Sequence, residues 1–483
     1  MKTIDEIIDR SRPIGEIISD LSQKSTTPFD WSKFKRSYYP YLHKIHDDRL
    51  GRKDKVHENG QVDEAARLVI PYEMLFINHL VQFMFANPVK REYMGIDGNE
   101  TRQQIANAIE RIYESADIDT INMDRGLFYF ASGEILTIWY VVKKDNTDYG
   151  FKSKFKLKCK VFSPMTDDCE IYPLMDENDD MIAVSFKYSK KVKNDTINYF
   201  ETFTDNKHYK WHSGDSAEWT DDILYMDGEG NVTYGDDIVL GKIPGIYAYR
   251  KKPTVIDGTE ELRKDDEYLV SRDSDIVAYN AAPILEVRGQ LKGDEKKGET
   301  RRVYKVSENG GINYVAWNGA TEATKSHHEM DKSLLHMINQ MPDISFESLK
   351  SLGNIGYDAR MMIFQDVILK VKMESKPLLQ MFRRESNVIK AFLKLMNTQW
   401  ADEIDNVWVK NSIDIYMPKD ENSEIDKRLK ANGGKPIESQ LESIQRYGRS
   451  KDPQATLEAI KKENEESLGN TINSLLNKEQ EKE

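Results

Sequence analysis

Between Thr321 and Met396 the chain carries two runs of apolar residues at three- and four-residue spacing. In the first, Met330, Leu334, Met337, Ile338 and Met341 predict one face of a helix, which stops where Pro342 disfavours helical geometry at Met341. In the second, Phe364, Val367, Ile368, Val371, Leu378, Phe382, Ile389, Phe392, Leu393 and Met396 mark a helix running from Tyr357. It spans about forty residues and should kink at Pro377, which removes a backbone donor and crowds the carbonyl of Met373. Between the two runs, PDISFESLKSLGNIG (342–356) has no period and three glycine or proline interruptions in its second half and at its start, so it reads as a loop held at a corner.

Upstream, PYEMLFINHLVQFMFANPV is apolar nearly all round, with Pro71 at a helix start and Asn87-Pro88 as a stop, the pattern of a buried helix. The following segment, 101–133, continues helically with Ile105, Ile109 and Ile112 at core spacing. From Glu134 the period drops to two through EILTIWYVVK, FKLKCKVFSP, CEIYPLMD, MIAVSFKYSKK, TINYFETFT, HYKWHSG and IPGIYAYRKK. Asp, Asn and Gly clusters separate these runs, which predicts a mostly antiparallel β region of about 115 residues.

Asp257, with Glu260 three positions on, caps a helix that Pro283 stops. Its residues are polar on nearly every face, so it is poorly supported by its own chain and should bridge domains or pack against copies of itself. Ile284 to Ala323 then reads as strands and turns, a small α/β insertion of the kind that carries partner contacts. After the long helix WVKNSIDIYMPKD is a strand with an acidic tail. The C-terminal helices are broken at Gly433-Gly434 and Asp452-Pro453, and the final NKEQEKE has the composition of a disordered tail. The fold class is α+β.

Composition narrows the function. Of 483 residues, 39% are hydrophobic and 10% aromatic, enough for a real core, while 69 basic against 82 acidic residues give a net charge of -13. That balance excludes a strongly basic body built to hold nucleic acid. No uncharged stretch approaches the roughly 18 apolar residues of a membrane span, so neither insertion nor secretion is expected. Cys159 and Cys169 are too few for a disulfide scaffold or a metal cluster. The aromatic and basic run FDWSKFKRSYYPYLHKIHDDRLGRKDK fits a solvated flank or subunit contact better than a nucleic-acid surface. GDDIVLGKI is not a phosphate-binding loop, because Gly235 and Gly241 enclose five residues instead of four and Ile243 stands where a Ser or Thr must hold Mg²⁺. His327, His328 and His336 lack a paired cysteine or carboxylate arrangement, so no metal site, no cofactor and no catalytic residue is assigned.

Four stretches in this order resemble bacteriophage portal proteins, of the class seen in long-tailed phages of Gram-positive hosts, over most of the chain. FINHLVQFMFANPV is similar to a helix of that family, with Asn87 where glycine is usual. LGKIPGIYAYRKKPTVIDGTEELRKDDEYLVSRDSDIVAYNAAPILEVRG resembles its strand, polar helix and following apolar segment. PDISFESLKSLGNIGYDARMMIFQ resembles its break into a long helix, although Tyr357-Asp358-Ala359 replaces the common small-residue run. GGKPIESQLESIQRYGRSKDPQATLEAIKKENEE resembles its C-terminal helices.

The resemblance implies an elongated subunit of a ring, dodecameric in virions, at one capsid vertex, assembled in the host bacterial cytoplasm, through which double-stranded DNA is packaged and ejected. It implies a wing at 1–256, stem helices at 257–283 and 324–341, a clip at 284–323, a tunnel loop at 342–356, a wing return at 357–429 and a crown at 430–483. On this reading Asp265, Asp266, Asp273, Asp275, Leu334 and Ile338 belong to the stem, the four acids solvated on a channel wall or between subunits. Arg288, Lys292, Arg301 and Arg302 would meet partners at the clip. Those partners would be the terminase large subunit and the head-tail adaptor, with the major capsid and scaffolding proteins elsewhere on the ring. Phe346, Leu349, Lys350, Leu352, Gly353 and Gly356 would face DNA. The alternatives are a metal-dependent nuclease, opposed by acids strung along one helix where they cannot converge on one phosphate, and a non-viral ring-forming scaffold.

A passing duplex presents about one charge per 1.7 Å, and each phosphate neutralised adds affinity. Residues 342–356 hold one base, Lys350, against Asp343 and Glu347, so contact there should be steric and transient. Deleting Ser348 to Leu352 is expected to leave rings intact and to lower DNase-protected DNA per procapsid; normal packaging by the deletion would remove this loop from the channel.

Overall fold

The computed structural model describes residues 3–47, 51–166, 169–193, 195–214, 218–226, 232–255, 259–280, 284–297, 301–306, 310–315, 321–344, 362–416, 430, 439–447 and 452–480. Packing divides the chain into two units, the first holding everything up to Tyr416 apart from a short segment at 355–360, the second holding that segment and the C-terminal helices.

The first unit opens with three helices, α1 (Ile4–Ile7), α2 (Ile14–Leu21) and α3 (Trp31–Tyr38). A small hairpin, β1 (Lys55–Val56) and β2 (Val62–Asp63), precedes α4 (Tyr72–Phe85), whose Phe76, Ile77, Leu80, Val81 and Met84 are all buried, as an all-round apolar helix requires. Strand β3 (Lys90–Met94) leads to α5 (Glu100–Ser115) and α6 (Ile118–Ser132). Ile105, Ile109 and Ile112 are fully buried, as their spacing predicts. The single helix expected through 101–133 is instead two, because Asp117 adopts a left-handed φ of 53°, which short polar residues tolerate. Gly133 ends α6 at φ 83°; a side chain there would meet the Phe29 ring, so a residue with a Cβ is excluded on two counts.

The antiparallel β region follows as predicted. Strand β4 (Glu134–Asn146) lies between β5 (Ser153–Phe162) and β14 (Gly245–Tyr249). A second sheet runs β10 (Thr220–Asp221), β9 (Lys207–Ser213), β8 (Asp195–Phe203), β7 (Met181–Val192) and β6 (Glu170–Met175), with β13 (Asp236–Asp237) also on β9. The hairpin β11 (Leu224–Met226) and β12 (Val232–Tyr234) stands apart. Leu136, Ile138, Phe162, Ile171, Val184, Phe186 and Tyr247 make one core from both sheets. Ile7, Ile17, Ile18 and Leu21 of the N-terminal helices cover Phe200 and Trp211 in a second.

Helix α7 (Thr259–Asn280) and helix α8 (Thr321–Ile338) flank two antiparallel ladders, β15 (Ile284–Arg288) with β18 (Gly311–Val315) and β16 (Leu291–Lys297) with β17 (Arg301–Val306). The insertion expected at 284–323 thus runs into the first turn of α8 and holds four strands among its described residues. The predicted capping residue, Asp257, lies outside them. The long helix α9 (Gln365–Met396) carries Pro377 inside it, with Phe364 before its first turn; the expected start at Tyr357 falls within 345–361, outside the described residues. Strand β19 (Trp408–Ser412) returns to pair with β3, a partner nothing in its own pattern identified.

In the second unit α10 (Gln440–Tyr447) packs on α11 (Pro453–Gln480). Asp452 caps α11 by accepting from the Gln454 and Ala455 amides, at 3.1 Å each, with Pro453 at the first helical position. The tail expected to be disordered is helical through Gln480, since its Lys, Glu and Gln are good helix formers. No helix among the described residues is long and apolar enough to cross a membrane.

Helices and sheet meet at one buried ion pair. Arg125 of α6 donates from Nη2 to Glu385 Oε1 at 2.5 Å and from Nη1 to Oε2 at 3.2 Å, while Trp139 Nε1 of β4 donates to Oε1 at 2.7 Å. Both charged side chains are almost wholly buried. Removing one partner strands the other charge, so Glu385→Ala should lower the unfolding free energy by about 3–5 kcal/mol in a denaturant titration. Replacing the pair together, Arg125→Met with Glu385→Leu, should recover most of it; a loss below about 1 kcal/mol in the single variant would contradict the assignment.

Candidate functional site

The pair α7 and α8, with the ladders between them and the start of α9 beyond, holds most of the residues singled out by sequence. The polar helix α7 is supported by its own chain, contrary to expectation. Thr259, Arg263, Asp266, Glu267 and Ser271 recur at helical spacing and form a buried polar stripe. Arg263 donates to Glu73 of α4 at 2.9 Å and to Glu267 at 2.8 Å. Glu267 Oε1 also lies 2.6 Å from His43 Nδ1 and accepts from the Ile70 amide at 3.0 Å. Ser271 Oγ accepts from the Leu68 amide at 2.9 Å, and Asn339 of α8's end donates to Thr259 at 3.1 Å. Burial alone would raise the Glu267 carboxyl, but His43, Arg263 and the Ile70 amide hold it below the usual range. Polarity here marks a partner that lies far away in sequence.

The four acids that the resemblance assigns to a stem separate accordingly. Asp266 is fully buried, accepting from Tyr72 Oη at 3.2 Å and lying 2.5 Å from His328 Nδ1, so it is not a solvated wall residue. Asp275 is half-buried, bound to Arg52 at 2.5 Å and to the Ala66 amide at 2.9 Å. Asp273 is half-buried and Asp265 is exposed. On α8, Leu334 and Ile338 are half-buried, whereas the neighbouring Leu335 is fully buried within the chain. Met330 and Met337 remain exposed, as do Met362, Leu369 and Met373 at the start of α9.

Helix α8 ends earlier than Met341. Gln340 takes a left-handed φ of 54°, its amide donates to Met337 O at 3.1 Å, and the Met341 amide donates to His336 O at 3.0 Å. This is the Schellman arrangement with glutamine in the position usually given to glycine, which is why no sequence signal marked it. Lys370 of α9 donates to the freed Asn339 carbonyl at 2.6 Å and so ties the end of α8 to α9. Of that loop only Pro342 to Ile344 are described; Phe346, Leu349, Lys350, Leu352, Gly353 and Gly356 lie outside the described residues.

Among the ladder bases, Arg288 is exposed and donates to Glu286 at 3.1 Å. Lys292 sits where the β16 register shifts between Leu291 and Gly293. Arg302 pairs across the ladder with Lys296, and Arg301 with Lys297. The register thereby collects four bases at one ladder end, two of them not singled out from sequence. The histidines also gain neighbours: His327 lies between Asp331 of its own helix and Asp265 of α7. The i, i+4 spacing of His327 and Asp331 was readable; the approach of Asp265 depends on the α7–α8 packing.

A family model described as "Phage portal protein, SPP1 Gp6-like" matches residues 31–469. No curated protein matches the chain.

Burial lowers the Lys370 ammonium from 10.5 to about 8. The folded state then binds fewer protons than the unfolded state between those values, so this group makes stability rise with pH across that window. The gain is up to about 3 kcal/mol at roughly 1.4 kcal/mol per unit. Thermal unfolding from pH 8 to 10.5 should show a shallower rise in Lys370→Met than in the parent; equal slopes would mean that the ammonium is not held as described.

Proposed function

The chain belongs to the phage portal protein family, and on that premise we propose that it forms a closed ring at the capsid vertex whose central channel passes DNA during packaging and ejection. The observation that carries this reading is a family match spanning nearly the whole chain rather than one domain of it. Members are structural components of the capsid that work as oligomeric rings, and the remaining assignments are proposals made for this chain.

Helices α7 and α8 are taken as the stem, and the exposed Met330, Met337, Met362, Leu369 and Met373 as surface that neighbouring copies cover, methionine being suited to adaptable packing. The β16–β17 ladder end, with Lys296, Lys297, Arg301 and Arg302, is taken as the clip that meets the terminase and later the adaptor through their acidic groups. Residues 342–356 are taken as the tunnel loop, and the second unit as a crown toward the capsid interior. The protein supplies the conduit and the motor supplies the ATP hydrolysis.

Electron microscopy of the purified protein should show rings with a central hole, and the same preparation should turn over no ATP. Compact monomers alone, or filaments from a non-closing contact, would overturn the ring; ATP turnover by the pure protein would overturn the division of labour.

A further inference from the structure

One cluster in the α7–α8 interface is left incomplete by everything described above. Asp265, Asp266 and Asp331 converge there, and among the described residues their ion pairs come from His327 and His328. Asp266 is satisfied by Tyr72 and His328. Asp331 is 2% exposed, and its Oδ2 is paired with His327 Nδ1 at 3.1 Å, a contact too poorly aligned for a full hydrogen bond. The exposed Asp265 carboxylate is 4.0 Å from His327 Nε2. One ligand atom from each of the three side chains can be chosen such that all lie within 4.8 Å of one another.

We propose that Asp265, His327 and Asp331 form a divalent transition-metal site, best suited to Zn²⁺, which clasps α7 to α8. Zinc bonds of about 2.0–2.2 Å set ligand atoms roughly 3.3–3.6 Å apart in a tetrahedron. The His327–Asp331 separation is already near that edge. The exposed Asp265 side chain, 4.0 Å from His327 Nε2, has to move closer to join them. One imidazole nitrogen with two carboxylate oxygens favours zinc over Mg²⁺ or Ca²⁺, which prefer all-oxygen shells. His327 is half-open to solvent, so water completes the fourth position. The ion would also place positive charge where three acids meet, and it would give the buried Asp331 oxygen a closer partner than His327 alone. The i, i+4 pair on α8 presents two ligands on one face, and Asp265 makes the bond a link between helices.

All three ligands belong to one chain, so the site does not depend on ring formation, and a failed ring assay leaves it testable. The experiment uses the full-length protein stripped with EDTA, dialysed against ZnCl₂ and assayed for bound zinc by mass spectrometry, with the thermal midpoint read in parallel. Expected are one zinc per chain, a rise of several degrees in the midpoint, and an at least tenfold loss of affinity in His327→Ala and in Asp265→Asn. Both positions are solvent-accessible, so these variants keep the fold, which circular dichroism checks; Asp331→Asn is the third variant. His57→Ala, at a histidine of the β1–β2 hairpin paired with Asp63, should bind as the parent does. No zinc uptake by the parent, uptake undiminished in His327→Ala and Asp265→Asn, or uptake lost in His57→Ala would each overturn the site.

Discussion

A guanidinium with almost no solvent contact must be surrounded by acceptors, and Arg263 between Glu73 and Glu267 sets the terms for much of this fold. Withdrawing such a charge from water costs several kcal/mol unless its partners are well placed. The partners come from α4 and from the next turn of α7, and Glu267 is itself held by His43 and the Ile70 amide. The network therefore fixes where α7 sits against α4 and the extended segment before it. Helix α8 follows through Asp266–His328 and Asn339–Thr259, and α9 through Lys370. A chain of polar contacts, each requiring the next, gives this region geometric definition that interchangeable apolar contacts would not.

The division between legible and illegible features follows from the range of the physics. Periodicity is local, so the all-round apolar α4, the isoleucine stripe of α5, the alternating β region and the long α9 could be read directly. Glutamine in a left-handed helix cap and aspartate in a left-handed break are choices the tertiary structure imposes, and no local rule selects them. The polarity of α7 was visible, but its cause was not: Arg263 and Glu267 are four residues apart, whereas Glu73 and His43 are some two hundred away. A helix read as unsupported was in fact supported by residues that sequence could not bring near. Of the candidate site, Asp265 is exposed, Asp273, Asp275, Leu334 and Ile338 are half-buried, and Asp266 is buried against Tyr72 and His328, differences that no local pattern encodes.

These placements alter what a ring-forming helix has to do. A polar helix free of its own chain must find neighbours before it is stable. Here α7 is already anchored by its own chain, and on the proposed reading α7 and α8 would enter assembly as a formed pair. Rigid, internally satisfied helices beside adaptable side chains suit a surface that meets identical copies without itself being remodelled.

The span of the α7 network has a kinetic side. His43 is separated from Glu267 by 224 positions, and Glu73 from Arg263 by 190. Pairings of such separation close large loops and are disfavoured early in folding, when few other contacts repay the lost chain entropy. During synthesis the segment from His43 to Glu73 leaves the ribosome long before α7 exists, and its charges stay hydrated while the intervening β region folds. On these grounds the docking of α7 is expected late, once the β region that separates it in sequence from His43 and Glu73 has formed.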